Sequence, residues 1–309
     1  MKTTLFSFLL FILSISSYAQ NDSSGTTDTS TTYKLSMTTG SELFGKILKQ
    51  DEREILLLTA DNRKIVVPQH TIKTITTINQ KNFNSKGEYI GEDKFATRYF
   101  LTTNGLPIKK GEHYVQWNLF GPDFQFAISK DLGVGIMSSW FGIPIIGTIK
   151  KSFQIKPNIH CAVGALAGTG SWAAPKWGGF LPFATLSFGD RQKNIAFSGG
   201  YGAIYENGIG EGRALTSVAG MIKISSKISL VFDSFFLLPG EKKTISHYDS
   251  ATSQYVNETK RTSVVALLIP GVRWHQAEGR ALQFGFTGLY AMDKLAPVPI
   301  PTIQWYRSL

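Results

Sequence analysis

From about Glu112 to Leu309, apolar and polar residues alternate in short runs separated by glycine-bearing turns. Alternation with period 2 sends successive side chains to opposite faces of a sheet. A sheet closed on itself pairs all its backbone groups, so with apolar side chains outside it can cross a lipid bilayer. The pattern predicts an all-β chain with twelve strands in this region. They are His113–Phe120, Phe124–Leu132, Gly133–Phe141, Ile146–Ile155, Ile159–Thr169, Gly179–Phe188, Asn194–Tyr205, Leu215–Ser225, Ile228–Leu238, Ser263–His275, Ala281–Met292 and Pro299–Leu309. Val115, Trp117 and Leu119 fall on one face, with Gln116 and Asn118 on the other. Phe124, Phe126 and Ile128 oppose Gln125, Ala127 and Ser129. Leu282, Phe284 and Phe286 oppose Gln283, Gly285 and Thr287. The first set in each case is expected to face lipid and the second the lumen.

Loop lengths agree with that reading. Membrane barrels have short periplasmic turns and longer outer loops. With both barrel ends periplasmic, the even-numbered connections must be the short ones. They fall at Asp131-Leu132-Gly133, Lys156-Pro157-Asn158, Gly189–Lys193, Ser225-Ser226-Lys227 and Gln276–Gly279. The long polar stretch Pro239–Thr262 falls on the outer side, whereas the outer connections near Gly121-Pro122 and Gly142-Ile143-Pro144 are short.

The first third of the chain differs. Lys2, the apolar run Leu5 to Ile15 and the small-residue step Ser17-Tyr18-Ala19 read as a cleavable export signal over 1–19. Residues 20–32 are a Ser/Thr/Asp/Gly tract that reads as a flexible linker. Five strand-like runs follow within 33–78: Tyr33–Thr38, Glu42–Gln50, Glu54–Thr59, Lys64–Pro68 and Thr71–Thr77. Turn signals at Thr39-Gly40, Asp51-Glu52 and Asp61-Asn62 separate the first four. Residues 79–111 read as a connector of mixed character, in which Phe95–Leu101 is a short strand or an amphipathic lead-in. Of the 30 glycines, 24 lie at or after Gly111, as do all six tryptophans, so the composition changes with the pattern.

Leu35-Ser-Met-Thr-Thr-Gly40-Ser-Glu-Leu-Phe-Gly45-Lys-Ile47, with Asp51 following, resembles the first signature of Sm-like folds. The resemblance implies a small barrel-like module in which one glycine makes a turn and the next lets a strand bend. The RNA-binding signature of that family has no counterpart in Val66-Val67-Pro68-Gln69-His70, so no nucleic-acid partner is implied. A periplasmic protein is the expected partner of 33–78. Pro299–Leu309 resembles the final strand of outer-membrane barrels, although it ends in leucine where that group commonly ends in an aromatic residue. Residues 112–309 as a whole resemble an uncharacterised envelope β-barrel of Gram-negative cells. The implied function is a narrow, porin-like pore or envelope scaffold in the outer membrane. The net charge of +10 then points to anionic lipid headgroups or lipopolysaccharide as partners.

Little in the sequence carries chemistry. The lone Cys161 excludes an internal disulfide framework, and no HxxH or HExxH spacing occurs, so no metal or cofactor is expected. A hydrolase reading would resemble outer-membrane phospholipase A, but His113, His160 and His275 fall near periplasmic strand ends and His247 in an outer loop. No catalytic residue is assigned. The lumen candidates are Asp233, Lys223, Gln116, Asn118 and Gln283, with Asp233 and Lys223 a possible inward pair that lines a pore or plugs a narrow barrel. Two alternatives remain open at this point: a membrane-embedded hydrolase or acyltransferase, and a soluble periplasmic lipocalin-like binding barrel with its apolar residues inward.

Overall fold

A computed structural model describes residues 31–309, except for 60, 79–81, 84–88, 171–176, 207–208, 241, 250–253, 262, 278 and 292–293. The signal and most of the linker lie outside the described residues. The chain forms two compact units that divide after Gln80.

The first unit is a five-stranded antiparallel sheet of β1 (Thr32–Met37), β2 (Glu42–Gln50), β3 (Glu54–Thr59), β4 (Lys64–Pro68) and β5 (Ile72–Ile78). Its order is β4-β3-β2-β1-β5, and a single 3-10 turn at Gln69–Thr71 joins the two edge strands. Leu35, Ile55, Leu57 and Val67 form the core. Gly40, at φ +87°, makes the β1–β2 turn. Gly45 lies where a Cβ would meet Leu57 at 2.9 Å, so β3 can cross β2 closely only at a glycine. The pairing of β2 with β3 then slips between Ile47 and Lys49, which bends the strand.

The second unit is a closed antiparallel barrel of twelve strands. They are β6 (Tyr114–Asn118), β7 (Pro122–Ala127), β8 (Leu132–Ser138), β9 (Ile145–Lys156), β10 (Ile159–Thr169) and β11 (Trp177–Gly189), followed by β12 (Lys193–Glu206), β13 (Ile209–Lys223) and β14 (Ile228–Leu237). After a separate hairpin of β15 (Lys242–Asp249) and β16 (Gln254–Arg261), the barrel resumes with β17 (Val265–Ala277), β18 (Arg280–Ala291) and β20 (Ile300–Ser308). Each strand pairs with the next, and β20 pairs with β6 to close the ring. The two-residue β19 (Lys294–Leu295) only extends the edge of β18. The hairpin β15–β16 lies within the stretch read from sequence as one long polar loop; its alternation is too polar to stand out.

All twelve expected strands are present, and the even connections are short, as are the β6–β7 and β12–β13 connections among the odd ones. The outer surface is apolar. Ile149, Phe180, Phe197, Phe232, Leu268 and Phe284, on six different strands, are each at least two-fifths exposed. Alternate residues are hidden: on β14 Ile228, Leu230 and Phe232 are exposed while Ser229, Val231 and Asp233 are buried. This sidedness is the reverse of a soluble lipocalin-like barrel. On β11, Phe180 and Phe188 lie on the outward apolar face; eight residues at ~3.3 Å each and ~40° tilt separate them by about 20 Å along the axis, within the height of a membrane-facing band. Val115, expected outward, is almost fully covered. It is paired on one side with Phe124 and on the other with Arg307, and both larger side chains share its face.

Candidate functional site

A barrel of this size encloses more volume than its own inward side chains fill. Here the surplus is taken up by residues 92–108, which belong to the barrel unit and lie within the ring. Phe95, Ala96, Tyr99, Phe100, Leu106 and Ile108 are buried, in contact with inward residues of several strands such as Ala196, Ala219, Val231, Ile269 and Ala281. Small inward side chains on β12, β13 and β18 leave the space.

The segment is mostly irregular, so its buried backbone groups need partners from the wall. Arg98 and Thr103 bridge antiparallel, turning the chain back near Phe100. Inward polar side chains of the wall then meet many of these groups. Asp233 accepts from the backbone N–H of Leu101 (2.7 Å) and Thr102 (2.9 Å) and from the Thr102 hydroxyl (2.7 Å). Gln283 donates to the Tyr99 carbonyl, and Gln116 and Gln304 both donate to that of Phe100. Lys150 donates to the Thr103 hydroxyl and to the carbonyls of Asn104 and Leu106. Ser187 accepts from the N–H of Gly105. These partners stand on β6, β9, β11, β14, β18 and β20, around the whole ring.

Arg273 is the hub of the lower half. It is fully buried, and its guanidinium donates to the Asp93 carboxylate (3.0 Å), to the carbonyls of Phe95 (2.9 Å) and Arg98 (2.6 Å), and to Gln283 (2.6 Å). It also lies over the Tyr306 ring, 4.8 Å from the centroid. Planar donors in a fixed fork suit a residue that must hold two carbonyls and a carboxylate at once. A second ion pair, Arg98 with Asp123 at 2.6 Å, ties the turn to β7.

Of the residues singled out from sequence, Asp233, Gln116 and Gln283 therefore bind the inserted segment, and Lys223 does so at its start, donating to the Glu92 carbonyl at 3.1 Å. Asp233 and Lys223 do not sit side by side. Lys223 is opposite Ser229 and Asp233 opposite Ala219, four positions apart on β14, or about 13 Å along the strand. Asn118 lies at the far end, where its side chain accepts from the N–H of Phe120 and Gly121 and closes the β6–β7 turn. Arg273, Gln304, Lys150 and Asn194, which accepts from the Tyr99 hydroxyl, escaped the sequence reading. Arg273 left a signal, since it is a charge between the outward Val272 and Trp274.

Ser229, His275 and Asp93 also converge, but not as a relay. His275 presents the same nitrogen, Nε2, to the serine hydroxyl (2.9 Å) and to the carboxylate (3.3 Å). A nucleophile–base–acid chain needs the two partners on opposite ring nitrogens. Ser229 is fully buried as well. No group of three or more metal-ligating side chains occurs among the described residues.

Beyond the inserted segment, toward the rim opposite the barrel's chain ends, lies a cavity of about 650 Å³. Leu101 and Thr102 of the segment form its floor, and Leu119, Ser139 and Pro144 of the β6–β7 and β8–β9 loops reach its mouth.

The sequence matches no protein-family profile and no curated protein. Solved structures that align with this chain include the following two. The NanC porin aligns over 64% of this chain and 98% of its own, at 7% identity and a TM-score of 0.42. The outer-membrane channel DcaP of Acinetobacter baumannii aligns over 90% of this chain and 94% of its own, at 9% identity and a TM-score of 0.33.

Proposed function

We propose that this protein resides in the outer membrane as a plugged barrel, a narrow pore that conducts only when residues 92–108 leave the lumen. The observation that carries this reading is the ring of wall side chains bonded to that segment. An apolar exterior, with Phe180 and Phe188 exposed on the outward face of β11, supports the membrane location, and so does the export signal expected at 1–19. The five-stranded unit serves as a periplasmic docking module. That role rests on its independent core, its exposed Leu48, Val66 and Ile75, and its resemblance to Sm-like folds.

The test is planar-bilayer conductance of the full chain against a variant with 93–108 replaced by a Gly/Ser linker. Folding of both is first verified by heat-modifiable gel mobility. The expected result is a nearly silent wild type and a conducting variant. A wild type that conducts as freely as the variant sinks the plug; a folded variant that stays silent sinks the pore and leaves a scaffold.

A further inference from the structure

Among the described residues, two loops at the rim beyond the inserted segment are strongly apolar. Leu119-Phe120-Gly121-Pro122 joins β6 to β7, and Trp140-Phe141-Gly142-Ile143-Pro144 lies between β8 and β9. Loops in water are polar, yet Phe120 is 76% exposed and Phe141 91% exposed. The two are built as one surface. The Trp140 indole donates to the Leu119 carbonyl at 2.9 Å, the Trp140 N–H donates to Phe120 at 3.0 Å, and Trp140 stacks on Trp117 with ring centroids 5.7 Å apart. They also cap the shortest part of the wall. Phe120 lies six residues beyond Tyr114, the start of β6, or about 15 Å along the axis at the same rise and tilt, against an apolar band roughly 25 Å tall. In a barrel seated in a membrane, a rim this low at β6 and β7 would stop within the hydrocarbon layer, and its composition suits that position.

The cavity opens at this low rim. Leu119, Phe120, Pro122, Ser139 and Pro144 border it there. Its exposed wall surface is largely apolar although it faces the lumen: Leu166, Leu181, Phe183, Leu215, Phe235 and Leu267 come from β10, β11, β13, β14 and β17, with Arg98, Asp123, Gln125 and Lys150 also in the lining. A water-filled pore would carry polar side chains at these positions. Leu101, at the tip of the plug, is 42% exposed and lies on the cavity floor. Ser217, 5% exposed, lines the same cavity with a hydroxyl that has no hydrogen-bond partner. The volume lies within the range of sites that enclose a small ligand, roughly 300–1,000 Å³.

We infer that this vestibule binds the acyl chain of a membrane amphiphile, which passes over the β6–β7 and β8–β9 rim from the outer leaflet and leaves its headgroup there. The inference rests on the membrane location proposed above but not on conduction. A largely apolar cavity that opens onto hydrocarbon gains its occupant by the burial that drives any apolar transfer, here without crossing water. The plug supplies the floor, so the same segment that closes the lumen makes the site.

The experiment uses the full chain in lipid nanodiscs and two photoreactive probes: a sixteen-carbon fatty acid and a diacyl phospholipid, each with a diazirine at the chain end. Labelled residues are located by peptide mass spectrometry. Thr148→Phe and Ser198→Phe place a ring in the cavity from β9 and β12. The expected result is saturable labelling of inward residues such as Leu181 and Leu215, lowered on the order of tenfold in either variant, since a ring that excludes two methylenes removes about that much affinity. Labelling of the outward Phe197 and Phe232 stays unchanged and reports intact folding. Inward labelling by the fatty acid alone identifies a free acid as the source; labelling by both identifies membrane lipid. Labelling confined to outward residues, or inward labelling that both ring variants leave intact, overturns the inference. A silent result in the conductance test leaves it standing.

Discussion

Gly271 and Gly285 pair across β17 and β18, and the ring of Phe100 occupies the space their side chains would take. A Cβ at Gly285 would lie 2.6 Å from the Phe100 Cζ. Alanine at 285 therefore pushes the ring out of its slot and strains the bonds that Gln116 and Gln304 make to the Phe100 carbonyl. Phe100→Ala empties the slot instead, at a cost of about 3–5 kcal/mol for a buried ring. Both changes loosen the turn that carries Arg98, so trypsin should cut after Arg98 in either variant and spare the wild type. The double variant should fall short of the sum by about 1 kcal/mol, because each change removes the same contact. Additive effects would show that the glycine pair and the ring act separately.

Asp93 and Arg273 form an ion pair with no exposure on either side. Removing one partner leaves a lone charge in the lumen, which costs about 3–5 kcal/mol, whereas replacing both with apolar residues costs far less. Asp93→Leu and Arg273→Met should each lower the midpoint of the heat-induced gel shift. The double variant should recover much of the loss. It should still free the carbonyls of Phe95 and Arg98, so full recovery is not expected. A double variant worse than both singles would refute charge pairing as the reason for the arrangement.

The barrel was legible because lipid and lumen impose opposite chemistries on alternate residues, and Leu282-Gln283-Phe284 carries that rule in three letters. The first unit was legible for a related reason, since Gly40 and Gly45 mark places where only glycine fits. The plug was not. Phe95–Leu101 has neither a strand's alternation nor a helix's period, because its partners come from distant strands rather than from its own neighbours. Asp233 and Gln283 were visible as misplaced polar residues, but their target was not, since a polar residue facing inward reads the same whether it meets water or a buried carbonyl. The apolar vestibule was hidden by the same alternation. Leu166, Leu181 and Leu215 are apolar on the inward face, where the rule expects polar residues.

Asp233 holds the tip of the plug by two backbone N–H groups. Hydrogen bonds to a charged acceptor contribute about 1.5–3 kcal/mol each, and unmatched donors in the lumen would add to the loss. Asp233→Ala should accelerate hydrogen exchange at Leu101 and Thr102 by roughly ten- to hundredfold if each protection follows its bond. The amide of Gly105, held by Ser187 from another strand, should change much less. Uniform acceleration across 93–108 would mean that the plug opens as one body and that Asp233 is only one of its ties.

Phe232 and Ile228 share the outward face of β14, four residues apart, with Ile228 at the turn end. If the face meets lipid, the cost of a charge depends on depth. Lysine at the middle of the layer costs about 2–4 kcal/mol, and near the interface only about 0–1 kcal/mol. Phe232→Lys should therefore reduce the heat-modifiable, membrane-extracted fraction far more than Ile228→Lys. Lys223 on the adjacent β13 shows the contrast already present in the chain, since a lysine is accommodated where it points inward and meets the Glu92 carbonyl. In water the two substitutions would both be mild, because an exposed lysine costs little on any surface. Equal and small effects would thus remove the membrane from the account, whatever the barrel's lumen does.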